Sequence, residues 1–370
     1  GKPLIVGGDA DSRGVVSTCS YEARRFGVHS AMPSAEARRL CPQAIWTHGH
    51  FDRYHEVSAQ VMAILADETP RVERVSIDEA FIDITPGRFA PEDPLLVARR
   101  ISDRVAALGV TCSIGVGCNK TVAKIASERD KPFGLTIVRP GTEQRFLAAL
   151  PVSAMSGIGR SAEERLRRMR IYTLGELSRA PESTLASIFG VNGERMRQRA
   201  LGLEISEVTS LDEEREVKSV SNERTFANDL TERGDIEAAI ALLGESVGRR
   251  LRRQGLTGAT VTLKLKYSYG SGRSAQRRLP HPTDDENIFV AVALELLDNI
   301  WQEGMHVRLA GVGMSDFDHQ GGIQTDLFCE IDDRGAQSSD RRDLSVAIDA
   351  VRDKFGDTAL SFGRQTRFND

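Results

Sequence analysis

Asp78 and Glu79 are adjacent carboxylates set between two extended runs, Arg71–Ile77 and Ala80–Ile84. Neighbouring side chains on a strand point to opposite faces. At a hairpin tip that restriction relaxes, and both can face one space. Their hard oxygens suit Mg²⁺, which keeps water and phosphate oxygens in its shell. Two such ions about 3.5–4 Å apart can stabilise the attacking and the leaving oxygen of a phosphoryl transfer. A solvent-exposed turn is the plainer reading of an Asp-Glu pair. Val75 and Ile77 before it, and Ala80, Phe81 and Ile82 after it, favour a tip at the edge of a buried sheet.

Other residues have the types that phosphate needs. Thr18, Tyr21 and Arg24 converge if a helix begins near residue 20, and a fixed guanidinium can grip phosphate oxygens bidentately. Ser113–Lys120 is not a Walker loop, because Asn119 stands where Gly should precede the Lys. Lys124 and Lys131 are seven apart and suit a triphosphate if they share a face. Met155-Ser156-Gly157-Ile158-Gly159, followed by an amphipathic run, reads as the turn of a helix-hairpin-helix. Gly157 and Gly159 there free backbone N–H groups for a DNA phosphate. Phe189–Gly193 reads as a second, degenerate turn. Lys264 and Lys266 alternate with Leu263 and Leu265, and Arg273, Arg277 and Arg278 lie on the next strand. Positive side chains on one sheet face suit salt-dependent tracking of a nucleic-acid backbone. Each pattern alone is also consistent with an ordinary solvated face.

The elements that must position these groups follow from periodicity. Val15–Thr18 reads as strand. Ser34–Leu40 reads as helix with Ser34 as N-cap, stopped by Pro42. Tyr54–Leu65, Leu95–Leu108 and Lys120–Arg129 carry helical spacing, and Thr111–Val116 reads as strand. Residues 1–139 therefore predict an α/β domain with a mostly antiparallel sheet. Short helices with Gly turns fill 151–205, and 206–216 is polar and acidic. Residues 217–317 read strand, helix, strand, strand, helix, strand, with clean alternation in Ala259–Tyr267. Residues 318–340 look loosely ordered, and a last helix spans about Leu344–Phe355.

Composition sets the frame. The chain is 40% hydrophobic and 28% charged, as in a soluble multidomain protein, and no apolar run suits a membrane span. Its five cysteines contain no CxxC pair, which argues against a zinc or disulfide framework and fits a reducing, intracellular setting. The net charge of −4 is unevenly spread: 217–281 holds 12 Lys/Arg against 6 Asp/Glu, and 151–200 holds 9 against 5. Residues 316–350 hold 3 against 9. Basic surfaces for a polyanion and an acidic segment elsewhere are implied.

Four strings occur in order: VVSTCSYEARRFGVHSAMP, VERVSIDEAFIDIT, SIGVGCNKTVAKIASERDKPFG and VKSVSNERTF. Together, over residues 1 to about 317, the chain resembles the DinB branch of the Y-family DNA polymerases. The resemblance implies a multidomain α/β (α+β) right-hand fold. Its parts would be fingers 1–50, palm 51–139, helix-hairpin-helix thumb 140–206, linker 207–216, α/β little finger 217–317 and C-terminal tail 318–370. It implies low-fidelity, template-directed translesion synthesis: dNTPs added to a primer 3′ end by two-metal phosphoryl transfer, without proofreading. Asp78 and Glu79 would be the catalytic metal ligands for two Mg²⁺ ions, and Thr18, Tyr21, Arg24 and Lys131 the triphosphate contacts. Gly157, Gly159, Lys264, Lys266, Arg273, Arg277 and Arg278 are the expected DNA contacts. The family carries a further metal-binding Asp and a steric-gate residue in an element expected upstream of Gly1. Without them the alternative is an inactive fragment serving as a DNA- and clamp-binding module. Gln324-Thr325-Asp326-Leu327-Phe328 resembles a bacterial sliding-clamp-binding peptide, in which Gln324, Leu327 and Phe328 would dock. Expected partners are primer-template DNA, dNTP and the clamp's β subunit, for a monomer in the bacterial cytosol.

Overall fold

The computed structural model describes residues 1–87, 92–213, 216–268, 271–317, 334–356 and 359–360. They fall into two units, Gly1–Gly49 with Arg215–Asp370, and His50–Glu214.

In residues 1–49, β1 (Leu4–Gly7) lies between antiparallel β2 (Val16–Cys19) and parallel β3 (Ile45–Thr47). Helices α1 (Tyr21–Arg24) and α2 (Ser34–Leu40) connect β2 to β3. Ile5, Val16, Ala23, Val28, Ala37 and Cys41 form the core. The expected N-cap of α2 is corrected: Pro33 occupies that position, and Ser34 is buried as the first helical residue. Its hydroxyl is used elsewhere, donating to the Gly8 carbonyl at 2.8 Å.

The second unit opens with α3 (Phe51–Glu68), β4 (Val72–Arg74), β5 (Ala80–Ile82) and α4 (Pro94–Ala107). Then come β6 (Ile114–Val116), α5 (Lys120–Arg129) and β7 (Leu135–Ile137). The mostly antiparallel sheet expected for residues 1–139 is corrected to three small sheets. β4 and β5 pair antiparallel, but β6 and β7 pair parallel, because α5 is the crossover between them. Gly115 makes that crossover tight: a Cβ there would run into the Ala123 carbonyl oxygen of α5.

Five helices follow: α6 (Glu143–Ala148), α7 (Arg160–Arg168), α8 (Leu174–Arg179), α9 (Glu182–Phe189) and α10 (Gly193–Leu201). Thr173 and Glu176 form a capping box at α8. The core of this bundle, with Leu147, Leu166, Leu174, Leu177 and Leu185, continues into Val122, Ile125 and Ala126 of α5. The bundle and the α5 helix therefore share one packed interior. The polar 206–213 segment is tied down, since Thr209 N–H donates to Glu73 at 3.2 Å and Arg71 pairs with Glu213 at 2.9 Å.

The first unit resumes with β8 (Ser219–Leu230), α11 (Arg233–Gln254), β9 (Gly258–Ser268), β10 (Ser271–Thr283), α12 (Glu286–Ile300) and β11 (Val307–Phe317). This is the element order that alternation predicts. The antiparallel sheet runs β10-β9-β11-β8. α11 and α12 cover one face, burying Val261, Leu263, Leu265, Val312 and Met314. The final helix, α13 (Arg334–Phe355), begins ten residues before the expected start at Leu344. It is held by ion pairs, Arg252 to Asp349 at 2.7 Å and Arg249 to Asp353 at 2.6 Å. The 324–328 peptide lies outside the described residues.

Candidate functional site

The expected two-residue hairpin is wider than its sequence suggests. β4 and β5 pair only from Val72↔Ile82 to Arg74↔Ala80, leaving Val75–Glu79 as the loop. The Glu79 carbonyl closes it, accepting from the amides of Val75 at 2.9 Å and Ser76 at 3.1 Å. Ser76 sets the first carboxylate: its hydroxyl donates to Asp78 Oδ1, and Asp78 N–H donates back to Ser76 Oγ at 3.2 Å. Asp78 is exposed, whereas the Glu79 side chain is 32% exposed.

Glu79 is not alone. Lys124 Nζ donates to Glu79 Oε2 at 2.7 Å and to Glu128 Oε1 at 3.3 Å. Glu128 Oε1 also accepts from Lys131 Nζ at 2.6 Å. The four side chains form one row of alternating charge, Glu79, Lys124, Glu128, Lys131. Burial pulls the Lys124 ammonium down, but the Glu79 and Glu128 carboxylates more than offset it and hold it above its ordinary value. Burial pushes the Glu128 carboxyl up, and Lys131 with Lys124 more than offsets that and holds it below the usual range. The structure thus brings Asp78, Glu79, Lys124 and Lys131 into one neighbourhood.

A divalent cation fits this tip by donor chemistry. Two carboxylates at a partly exposed loop offer hard oxygens, while Mg²⁺ usually takes one or two carboxylates and completes its shell with water and substrate phosphate. Among the described residues no third His, Cys, Asp or Glu joins them in one group.

Thr18, Tyr21 and Arg24 lie together in the other unit. Ser20 caps α1, its hydroxyl accepting from Ala23 N–H at 3.4 Å, and Ala23 is buried in the core. That pins one side of the short helix and leaves Tyr21 and Arg24 outside, both exposed, near exposed Thr18 at the end of β2. The Arg24 guanidinium carbon is 5.8 Å from the Tyr21 ring centroid, within cation–π range.

The bundle contains the expected hairpin. Gly157 has φ +95°, a conformation glycine adopts without strain, and Gly159 is the N-cap of α7 with no side chain satisfying the first-turn amides. A second turn, Gly190–Asn192, joins α9 to α10 in the same manner, with Val191 at its tip. The two hairpins are braced crosswise. Arg199 of α10 donates to the Ser156 carbonyl at 2.8 Å, and Arg165 of α7 donates to the carbonyls of Ser187 and of Ile188 (3.2 Å). Arg199 Nε also donates to Thr121 Oγ1 at 2.8 Å, joining the first hairpin to the N-terminal turn of α5.

The basic sheet needs one correction. Lys264, Lys266 and Arg278 sit on the open face, with Arg278 paired to Thr260 in register. Arg273 and Arg277 pair with buried Leu265 and Val261, so they point to the helix-covered side at the edge strand. Period-2 alternation separates Arg277 from Arg278. Arg277 is ion-paired to Glu295 of α12. A shallow groove of about 250 Å³ runs along the open face, lined by Ser221, Thr262, Lys264, Gln276, Gly311 and Gly313.

Glu128, Arg165 and Arg199 were missed as functional candidates. Glu128 had a signal, an acid four residues after Lys124 and three before Lys131. Arg165 and Arg199 had none, because the groups they brace lie far off in sequence, Ser187 and Ile188 for Arg165 and Ser156 and Thr121 for Arg199.

Residues 1–128 match the impB/mucB/samB family, and residues 217–327 match the impB/mucB/samB family C-terminal domain. The chain is 38% identical over 322 residues to DNA polymerase IV of Lactococcus lactis subsp. cremoris strain MG1363, covering 86% of this chain and 88% of that protein. It is 36% identical over 371 residues to DNA polymerase IV of Dehalococcoides mccartyi strain CBDB1, covering 100% and 92%. Among solved structures, a Y-family DNA polymerase chimera built on Dbh superposes with a TM-score of 0.73 at 26% identity, over 86% of this chain and 92% of that one. An insertion ternary complex of Dbh DNA polymerase gives 0.55 at 26% identity, over 86% and 92%.

Proposed function

The chain belongs to the impB/mucB/samB family of Y-family DNA polymerases, right-hand α/β enzymes of translesion synthesis, and on that premise we propose how its residues divide the work. Asp78 and Glu79 hold two Mg²⁺ ions. When bound, these stabilise the charge on the oxygens of the transferred phosphoryl group. The observation that carries this is the hairpin tip itself, where Ser76 fixes one carboxylate and Lys124 the other. Lys131, Thr18, Tyr21 and Arg24 hold the triphosphate of the incoming dNTP.

Residues 1–50 are the fingers, 51–139 the palm, 140–206 the thumb and 217–317 the little finger. The thumb offers the amides at Gly157 and Gly159 to a DNA phosphate, which positions the duplex without reading sequence. Lys264, Lys266 and Arg278 track the backbone on the open sheet face. Gln324, Leu327 and Phe328 dock the sliding clamp, and deleting residues 324–328 would abolish clamp-stimulated synthesis if so. The enzyme works as a monomer in the cytosol. Light scattering at the 40.6 kDa mass of one chain, and recovery in the soluble cytosolic fraction, would support that. No described helix is long and apolar enough to cross a membrane.

Primer extension tests the whole reading. In Mg²⁺ the chain should add the nucleotide complementary to the template base, and EDTA should stop it. Tight primer-template binding with no extension would instead identify a non-catalytic DNA- and clamp-binding module.

A further inference from the structure

Lys131 lies two residues past the end of α5, where no helix restrains its side chain. A lysine carries about 2 kcal/mol of rotamer entropy, lost when its ammonium is held in one place. Glu128 has already taken up part of that ordering. It rides on α5, which Asn119 caps through Val122 N–H at 3.0 Å and which buries Val122, Ile125 and Ala126. From that rigid base its Oε1 reaches both ammonium groups, Lys131 at 2.6 Å and Lys124 at 3.3 Å.

Donor counting shows what remains available. An ammonium has three donors. Lys124 uses two, on Glu79 and Glu128, whereas Lys131 uses the one on Glu128. Lys131 is 40% exposed, so its other donors face solvent. Glu128 is 49% exposed, and exposed pairs of this kind contribute little to stability. Its carboxylate does separate two like charges that would otherwise repel across α5. The row also has polarity: a carboxylate stands at the hairpin end and an ammonium at the other.

We infer that Glu128 is a positioning residue for the incoming nucleotide: its carboxylate aims Lys131 at the triphosphate while holding Lys124 against Glu79. The inference rests on the reading of Lys131 as a triphosphate contact. On arrival of the nucleotide, Lys131 keeps its bond to Glu128 and gives its remaining donors to phosphate oxygens. No bond to Glu128 needs to break.

The test uses the full chain bound to a dideoxy-terminated primer-template in Mg²⁺, so that no turnover occurs. Complementary dNTP is titrated and its Kd read by fluorescence. Glu128→Gln should raise that Kd about fivefold, the scale of one lost charge-assisted contact, and Glu128→Asp should recover part of the loss. Lys131→Ala should raise it by about tenfold or more. Primer-template affinity and the thermal midpoint should stay unchanged in all three, which a merely structural role would not allow. If Lys131→Ala raises the Kd and Glu128→Gln leaves it unchanged or lowers it, the inference fails and the role of Lys131 stands. If neither substitution moves the Kd, or the unsubstituted chain binds no dNTP, the nucleotide-site reading itself fails.

Discussion

The ammonium of Lys124 lies 2.7 Å from a carboxylate oxygen of Glu79. On the proposed reading, a cation of the chain's own therefore shares Glu79 with the metal that this tip would hold. The pair is partly solvated, at 28% and 32% exposure, so its electrostatic worth is modest. Its geometric effect is to hold Glu79 at the loop tip beside Asp78.

Replacing Lys124 by Met removes a competing positive charge. At these exposures the lost repulsion corresponds to about a threefold to tenfold gain in divalent-cation affinity. Mn²⁺ binding to the chain, followed by electron paramagnetic resonance without nucleotide, should tighten by that factor. The extension rate should nonetheless fall, because Glu79 loses its orienting partner. Weaker Mn²⁺ binding would show that Lys124 assists the metal site rather than competes with it.

Arg199 joins three parts of the second unit. It donates to the hairpin carbonyl of Ser156, to Thr121 at the start of α5, and lies 3.6 Å from Glu204. Its side chain is 16% exposed, and burial pulls its pKa below the ordinary arginine value while Glu204 opposes that shift. Arg199→Met should lower stability by about 2–4 kcal/mol in denaturant unfolding, mainly by leaving buried acceptors unpaired. In the folded protein, primer-template affinity should weaken severalfold, since the hairpin proposed to grip DNA loses its tie to α5. Undiminished DNA affinity would confine Arg199 to a structural role.

The two faces of the basic sheet make opposite predictions for neighbouring arginines. Arg278 is 77% exposed on the open face, with only a long 3.9 Å approach to exposed Asp316, while Arg277 is spent on Glu295. Arg278→Ala should reduce the salt slope of DNA binding by about 1, as expected for one phosphate contact. Arg277→Ala should leave the slope unchanged. Anisotropy titrations over a range of KCl concentrations read both, and equal effects would place the DNA on neither face alone.

Much of this was legible in the sequence because the signals were local. The six elements of residues 217–317 follow from clean alternation and helical spacing, and Lys120–Arg129 is helical to the residue. The Asp78-Glu79 tip was visible from its apolar flanks, although its loop is longer because Glu79's carbonyl takes two amides at once. What local pattern does not carry is pairing at a distance. The parallel β6–β7 pair depends on a crossover helix, and a short strand does not announce its partner's direction. Arg277 and Arg278 look alike as neighbours, and only the register against Val261 and Thr260 assigns them to opposite faces. Ser34 is a good cap residue that instead binds Gly8, 26 positions away.

The central claim is that the hairpin tip performs catalysis while other surfaces grip DNA. Primer extension and primer-template affinity should therefore separate in Asp78→Ala. The account predicts that extension in Mg²⁺ falls by at least about 10³-fold, the scale of losing a principal electrostatic stabiliser of the transition state. Affinity for the same DNA should remain within about twofold, since Asp78 is an exposed side chain outside the helical hairpins and sheet face proposed to hold DNA. Extension by Asp78→Ala at near the unsubstituted rate would contradict it.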